Sequence, residues 1–394
     1  MLASRKRSSL WTFAAAVYAL VLSALPTLAF TTEQAAREIE RIFQHKKLSG
    51  ARICALVTDC MSGEVFYSRN PSAALIPASN EKLPVTAAAL LLLGPAYRFP
   101  TAVYAAGPIG EDGIVDGPLM VVGSADPTAG LDIYASMAEE LRKRGVKGCK
   151  GILVSGAVTA RKSDGPSASP EFLRCALQEV GIHVLPGTVP VATVAQARPL
   201  IQHLSPTLGE VILTINKRSL NSWADNLWRA MGWLLAGGPE NMPQFLYAFW
   251  GQRGLDLSGV VMVDGSGLSR AIRATPAFLV GLLRYMYRCA EWPAFAGSLP
   301  IAGQEGTLSK RMRNSIAAGR VWAKTGTLHR VCTLSGYATT LSGRLLAFSL
   351  LLNNLSCSRE SARYLVDKVC EVIVQIEAEE TTARHSQSAT GEGG

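Results

Sequence analysis

Three short segments of this chain carry groups that together could transfer an acyl group. Ser79-Asn80-Glu81-Lys82 sets a hydroxyl three residues before an ammonium. Ser219-Leu220-Asn221 pairs a second hydroxyl with an amide, and Lys324-Thr325-Gly326 sets a lysine and a hydroxyl beside a glycine. A serine attacks a carbonyl only once a base takes its proton. Lys82 can be that base if burial or nearby positive charge lowers its pKa, and Lys324 is a candidate source of that charge. Ser219 could then relay the proton to a leaving amine, with Asn221 offering a donor and an acceptor to a peptide backbone. Lys324, Thr325 and Thr327 suit a terminal carboxylate, and Gly326 lets a substrate backbone come close. The backbone N–H groups of Ser79 and Thr327 could hold an oxyanion.

Each segment alone has a plainer explanation. Ser79 could be a helix N-cap and Lys82 a solvated residue, Ser219 could cap a helix starting near Ser222, and K-T-G could be an ordinary strand end. The order S-x-x-K, S-x-N, K-T-G in one chain favours a serine acyl-transfer site. This chemistry requires no metal and no cofactor.

The elements that must position these groups are legible in the patterning. Residues 51–68 predict a hairpin turning at Ser62-Gly63. An apolar helix is expected from Ser79 to Leu93, stopped by Gly94-Pro95 and irregular near Pro84. Residues 101–199 alternate short strands with helical stretches and predict a small inserted α/β unit. Helices are expected at 206–216, 222–236, 240–253, 275–290 and 358–377. Arg320 to Thr325, Val331 to Thr339 and Arg344 to Leu352 predict an antiparallel meander. The domain reading is therefore 30–100 with 200–378 as one discontinuous unit, 101–199 as the insertion, and 379–394 as a disordered tail.

Arg5-Lys6-Arg7, the apolar run from Leu10 to Leu25 and Ala29 predict an export signal over residues 1–29. The run is short for a membrane span, which needs about 20 residues. The formal net charge is +9, of which those three basic residues supply +3. A basic surface suits anionic partners such as acidic wall polymers. Zinc-ligand clusters and arginine-rich helices are missing from the sequence, so a nucleic-acid partner is not expected. Eight cysteines in an exported chain permit disulfides without fixing their pairing.

These residues closely resemble the class C low-molecular-mass penicillin-binding proteins, which are D-alanyl-D-alanine carboxypeptidases and endopeptidases. The likeness extends to Pro77–Lys82, Ser124–Thr128, Val263–Arg270, Ser298–Gly303 and Ala323–Leu328. It implies an α+β fold: a transpeptidase/β-lactamase-like domain, an antiparallel sheet flanked by helices, carrying an insertion after the S-x-x-K helix. It also implies a Ser79 acyl-enzyme, peptidoglycan stem peptides as substrate, β-lactams as inhibitors, and a periplasmic or extracytoplasmic location. Arg270 and His329 match positions that contact substrate in the family. The insertion here is short and lacks the family's acidic, aromatic-flanked stretch, and Leu220 stands where an acidic residue is usual. Asp126 and Asp264 match family motifs but suit structural turns. Two alternatives share the motifs: a β-lactamase, although no E-x-x-L-N stretch lies between Ser219 and Lys324, and a catalytically weak wall-binding homologue. The oligomeric state is not readable.

Overall fold

The computed structural model describes residues 29–157, 168–186 and 199–377. The expected export segment before Ala29, the tail 379–394 and the stretch 158–167 lie outside them. The frame is a five-stranded antiparallel sheet. Its strands are β1 (Arg52–Asp59), β2 (Val65–Arg69), β10 (Val321–Leu328), β11 (Val331–Thr339) and β12 (Leu345–Asn353). They lie in the order β10-β11-β12-β1-β2, so the two ends of the chain meet at the β12–β1 pair. The hairpin and the meander therefore form as the patterning predicts. Asp59 turns the hairpin by accepting the N–H groups of Met61 and Ser62 at 2.8 and 2.7 Å.

Side chains alternate across this sheet with a period of two. Leu346, Phe348, Leu350 and Leu352 face one core, closed by α1 (Thr32–Phe43) and by the C-terminal helix Arg359–Ile373. Ala347 and Leu351 face the other core, under the helical half of the molecule. At the centre of that half is α2 (Lys82–Leu93), apolar on all sides and buried accordingly. The α-helix starts at Lys82, not at Ser79; residues Ala78–Glu81 form a 3-10 turn. Pro84 then falls in the first α-helical turn, where a missing N–H costs no internal bond.

Between α2 and the later helices lies a small α/β unit. Strands β3 (Pro100–Ala105), β5 (Leu119–Ser124), β7 (Ile152–Ala157) and β9 (Ile201–Leu204) form one sheet in the order β7-β5-β3-β9. The two-residue strands β4 (Ile114–Val115), β6 (Gly148–Cys149) and β8 (His183–Val184) form a second, parallel one. Helices α3 (Leu131–Lys143) and α4 (Ala168–Glu179) share a core with them through Tyr134, Met137, Leu141, Leu173 and Leu177. Because β9 pairs with β3, this sheet runs past the expected boundary at 199. The remaining helices are α5 (Leu208–Arg218), α6 (Asn221–Leu235), α7 (Met242–Gly251), α8 (Pro276–Tyr287) and α9 (Trp292–Gly297), followed by α10, the C-terminal helix named above. The eight cysteines are all free thiols.

Candidate active site

The Ser79 turn is built against the edge strand. Ala78 adopts a left-handed φ of 49°, which lifts the turn toward β10. Gly326 faces it with no room to spare: a Cβ there would lie 2.1 Å from Thr333 Oγ1 and 2.7 Å from Pro77 O. The same alternation that makes the cores places Thr333 and Ser335 of β11 and Ser349 of β12, all buried, beneath the turn. Thr333 Oγ1 donates to Pro77 O at 2.8 Å, and Ser335 Oγ donates to Asn80 Oδ1 at 2.7 Å. Asn80 Nδ2 in turn donates to Lys324 O at 2.8 Å. Asn80 thus ties the first motif to the third.

One turn along from Ser79, Lys82 is fully buried. Its Nζ donates to Ser79 Oγ at 3.1 Å, to Asn221 Oδ1 at 2.8 Å and to the carbonyl of Ser266 at 2.5 Å. Burial lowers its pKa to about 8, against the opposing pull of Asp225, Asp264 and Glu81. The expectation that Lys324 supplies the lowering charge is corrected here. Lys324 is itself held well below an ordinary lysine, first by burial and then by Lys82. Two ammoniums do not share this low-dielectric pocket cheaply. Glu81, buried beside them, is pushed well above the usual carboxylate range by burial and by Asp264, against the pull of Lys82.

Ser219 ends α5 in a left-handed conformation with φ 56°, so it is a C-cap and not the N-cap of the next helix. That role falls to Leu220, and α6 begins at Asn221. Behind Ser219, the Lys217 ammonium donates to Leu299 O at 2.6 Å and pairs with Glu305, fixing the end of α5 to the 299–306 loop. Lys324 Nζ donates to Ser219 Oγ at 2.8 Å and to Thr325 O at 3.0 Å. Ser79, Lys82 and Asn221 therefore form one hydrogen-bonded group, and Ser219 and Lys324 form a second. The two are joined by the short Ser219–Asn221 segment and by Asn80.

Thr325 Oγ1 lies 2.8 Å from Thr307 Oγ1, and Thr327 Oγ1 accepts from Arg363 Nη2 at 3.3 Å. Arg270 and His329 are brought to each other but are not part of either hydrogen-bonded group: Arg270 Nη1 donates to His329 O at 3.3 Å, beyond the end of β10. Asp126 and Asp264 are turn residues. Asp126 accepts from Thr128 N and Oγ1 at 2.8 and 2.7 Å. Asp264 accepts from the N–H groups of Ser266, Gly267 and Ser269 at 3.0, 2.6 and 2.9 Å. The second turn has a consequence for the site, because it aims the Ser266 carbonyl at Lys82. A backbone acceptor leaves no mark in sequence, although the flanking Asp-Gly-Ser-Gly run marks the tight turn that presents it. Removing the Asp264 carboxylate in Asp264→Ala is expected to cost about 2–3 kcal/mol of stability. Acylation should slow by a larger factor than a peripheral loss of similar stability produces. Denaturant unfolding read beside acylation rates checks both.

The fold is that of the penicillin-recognising enzymes and their β-lactamase-like neighbours. Penicillin-binding protein 4 of Haemophilus influenzae superposes with a TM-score of 0.73 at 20% identity, covering 85% of this chain and 99% of that one. A predatory peptidoglycan endopeptidase from Bdellovibrio bacteriovorus gives 0.61 at 19% identity, covering 82% and 92%. The chain belongs to the D-Ala-D-Ala carboxypeptidase 3 (S13) family, which matches residues 35–170 and 157–372. Among curated relatives, a D-alanyl-D-alanine carboxypeptidase of Actinomadura sp. (strain R39) is 28% identical, with 81% of each chain covered. Among the described residues, no helix is long and apolar enough to cross a membrane.

Proposed function

We propose that this chain is a serine D-alanyl-D-alanine carboxypeptidase that trims peptidoglycan stem peptides outside the cytoplasm and is acylated by penicillins. The observation that carries the reading is Lys82 Nζ, buried, 3.1 Å from Ser79 Oγ and pinned from two other sides. Membership of the S13 family supports it. Neutral Lys82 takes the Ser79 proton, and Ser79 attacks the carbonyl of the penultimate D-alanine. The N–H groups of Ser79 and Thr327 receive the oxyanion. Ser219, held by Lys324, passes a proton to the departing D-alanine amine, and Asn221 orients the peptide. Water then releases the peptide from Ser79. Thr325, Gly326 and Thr327 line the carboxylate end of the substrate, and Arg270 and His329 flank the groups before it. In this reading the catalytic unit is discontinuous, with the insertion returning after Leu204, and the chain is exported by its N-terminal segment.

Labelling with a fluorescent penicillin, followed by peptide mapping, tests the proposal. The adduct is expected on the peptide containing Ser79, and a label mapped elsewhere overturns the mechanism. Slow loss of the label separates a peptidase from a β-lactamase, which would clear it rapidly. Release of D-alanine from a pentapeptide separates a working enzyme from a wall-binding homologue. Cleavage of a cross-linked peptide measures the endopeptidase share.

A further inference from the structure

The proposed substrate ends in a carboxylate, and Lys324 is poorly placed to be its only cation. The lysine is fully buried and already donates to Ser219 Oγ and Thr325 O. Burial and Lys82 both weaken its hold on a proton. The accessible hydroxyls next to it lie elsewhere on β10. Thr325 and Thr327 are two apart on the strand and share a face, while Gly326 turns toward Pro77. On that shared face, Thr307 reaches Thr325 and Arg363 reaches Thr327.

Arg363 projects from the start of α10 and is half-buried. Among the described residues, no carboxylate lies within ion-pair distance of it. Asp367, one turn along, is already held by Arg311 through Nε and Nη2 at 3.0 and 2.6 Å. A guanidinium has five N–H donors, and the contact to Thr327 uses one. Arg359, one turn earlier, lines a neighbouring cavity of 380 Å³ together with Arg330, so two further guanidiniums stand near this end of the strand.

We propose that Arg363 is a binding residue of this site, which with the hydroxyls of Thr325, Thr327 and Thr307 receives the C-terminal carboxylate of the peptide. The inference rests on the peptidase reading above. It makes a free terminal carboxylate the specificity element, recognised from the last helix and not from K-T-G alone.

The test uses the full chain, a pentapeptide ending in D-alanyl-D-alanine, and the same peptide as its C-terminal amide. Arg363→Gln is expected to raise KM for the free acid by roughly 10- to 100-fold, the worth of a lost hydrogen bond to a charged group, with little change in kcat. The amide should be nearly unaffected, so the preference for acid over amide collapses. Arg363→Lys keeps the charge and should recover much of that preference, which a purely packing role would not do. Penicillin and its methyl ester give the same comparison through acylation rates. Equal losses for acid and amide, or no loss for either, overturn the proposal. If the wild-type chain takes no penicillin label on Ser79, the peptidase reading itself fails. If it is labelled and Arg363→Gln keeps its preference for the acid, only this inference fails.

Discussion

Ser79→Ala is expected to abolish both penicillin labelling and D-alanine release, with a fall in turnover of roughly 10⁴-fold or more. The size follows from the chemistry, since no other hydroxyl takes over. Ser219 Oγ is committed to Lys324, and Lys82 Nζ is directed at Ser79. The fold should survive, because the turn is held by bonds that do not use the Ser79 side chain. Pro77 O and the Asn80 amide anchor it to β10 and β11. Thermal unfolding close to wild type, together with total loss of labelling, is the expected pair of results. Residual labelling at another residue would put the nucleophile elsewhere.

The second large effect concerns Lys82 and pH. Only its neutral form can take a proton from Ser79. With a pKa of about 8, the neutral fraction grows as pH rises toward that value. Acylation by penicillin should therefore increase about tenfold per pH unit well below 8 and level off above it. Lys82→Met should remove this dependence along with about 10⁴-fold or more of the rate. The sign for stability is also fixed. Lys82 binds a proton less readily folded than unfolded, so the folded state loses ground as pH falls from the ordinary lysine value of 10.5 toward about 8. Raising pH through that window should stabilise the wild type relative to Lys82→Met by about 3 kcal/mol. A difference that stays flat with pH would mean that Lys82 keeps its charge in the fold.

What the sequence revealed and what it hid divide along physical lines. The juxtaposition of polar side chains was readable from the motifs: Ser79, Lys82, Ser219, Asn221 and Lys324 fall into two adjoining hydrogen-bonded groups. The meander was readable because its last two strands are long, largely apolar runs, buried on both faces and separated at Leu341-Ser342-Gly343 by turn residues. Backbone contributions were not, since the Ser266 carbonyl depends on how an Asp264 turn aims it. Asn80 occupies an unspecified position of S-x-x-K, yet its amide joins two motifs. Helix α1 is not among the expected elements, although Ala35, Ile39, Ile42 and Phe43 recur at helical spacing and Thr31 and Gln34 form a capping box that marks its start. The two-residue strands β4, β6 and β8 are too short to leave any periodicity. The direction of influence between the two lysines was likewise out of reach, because burial, and not charge, dominates at Lys82.

Gly326 pressed against Pro77 has a consequence for how this molecule matures. The candidate site is a seam between segments 244 positions apart, closed by the Asn80 amide on the Lys324 carbonyl. A newly made chain carries Ser79 long before it has the strand that completes the seam. Reactivity toward a tagged antibiotic thus reports the finished tertiary structure, and the time at which newly made chains become taggable measures when their two ends have met.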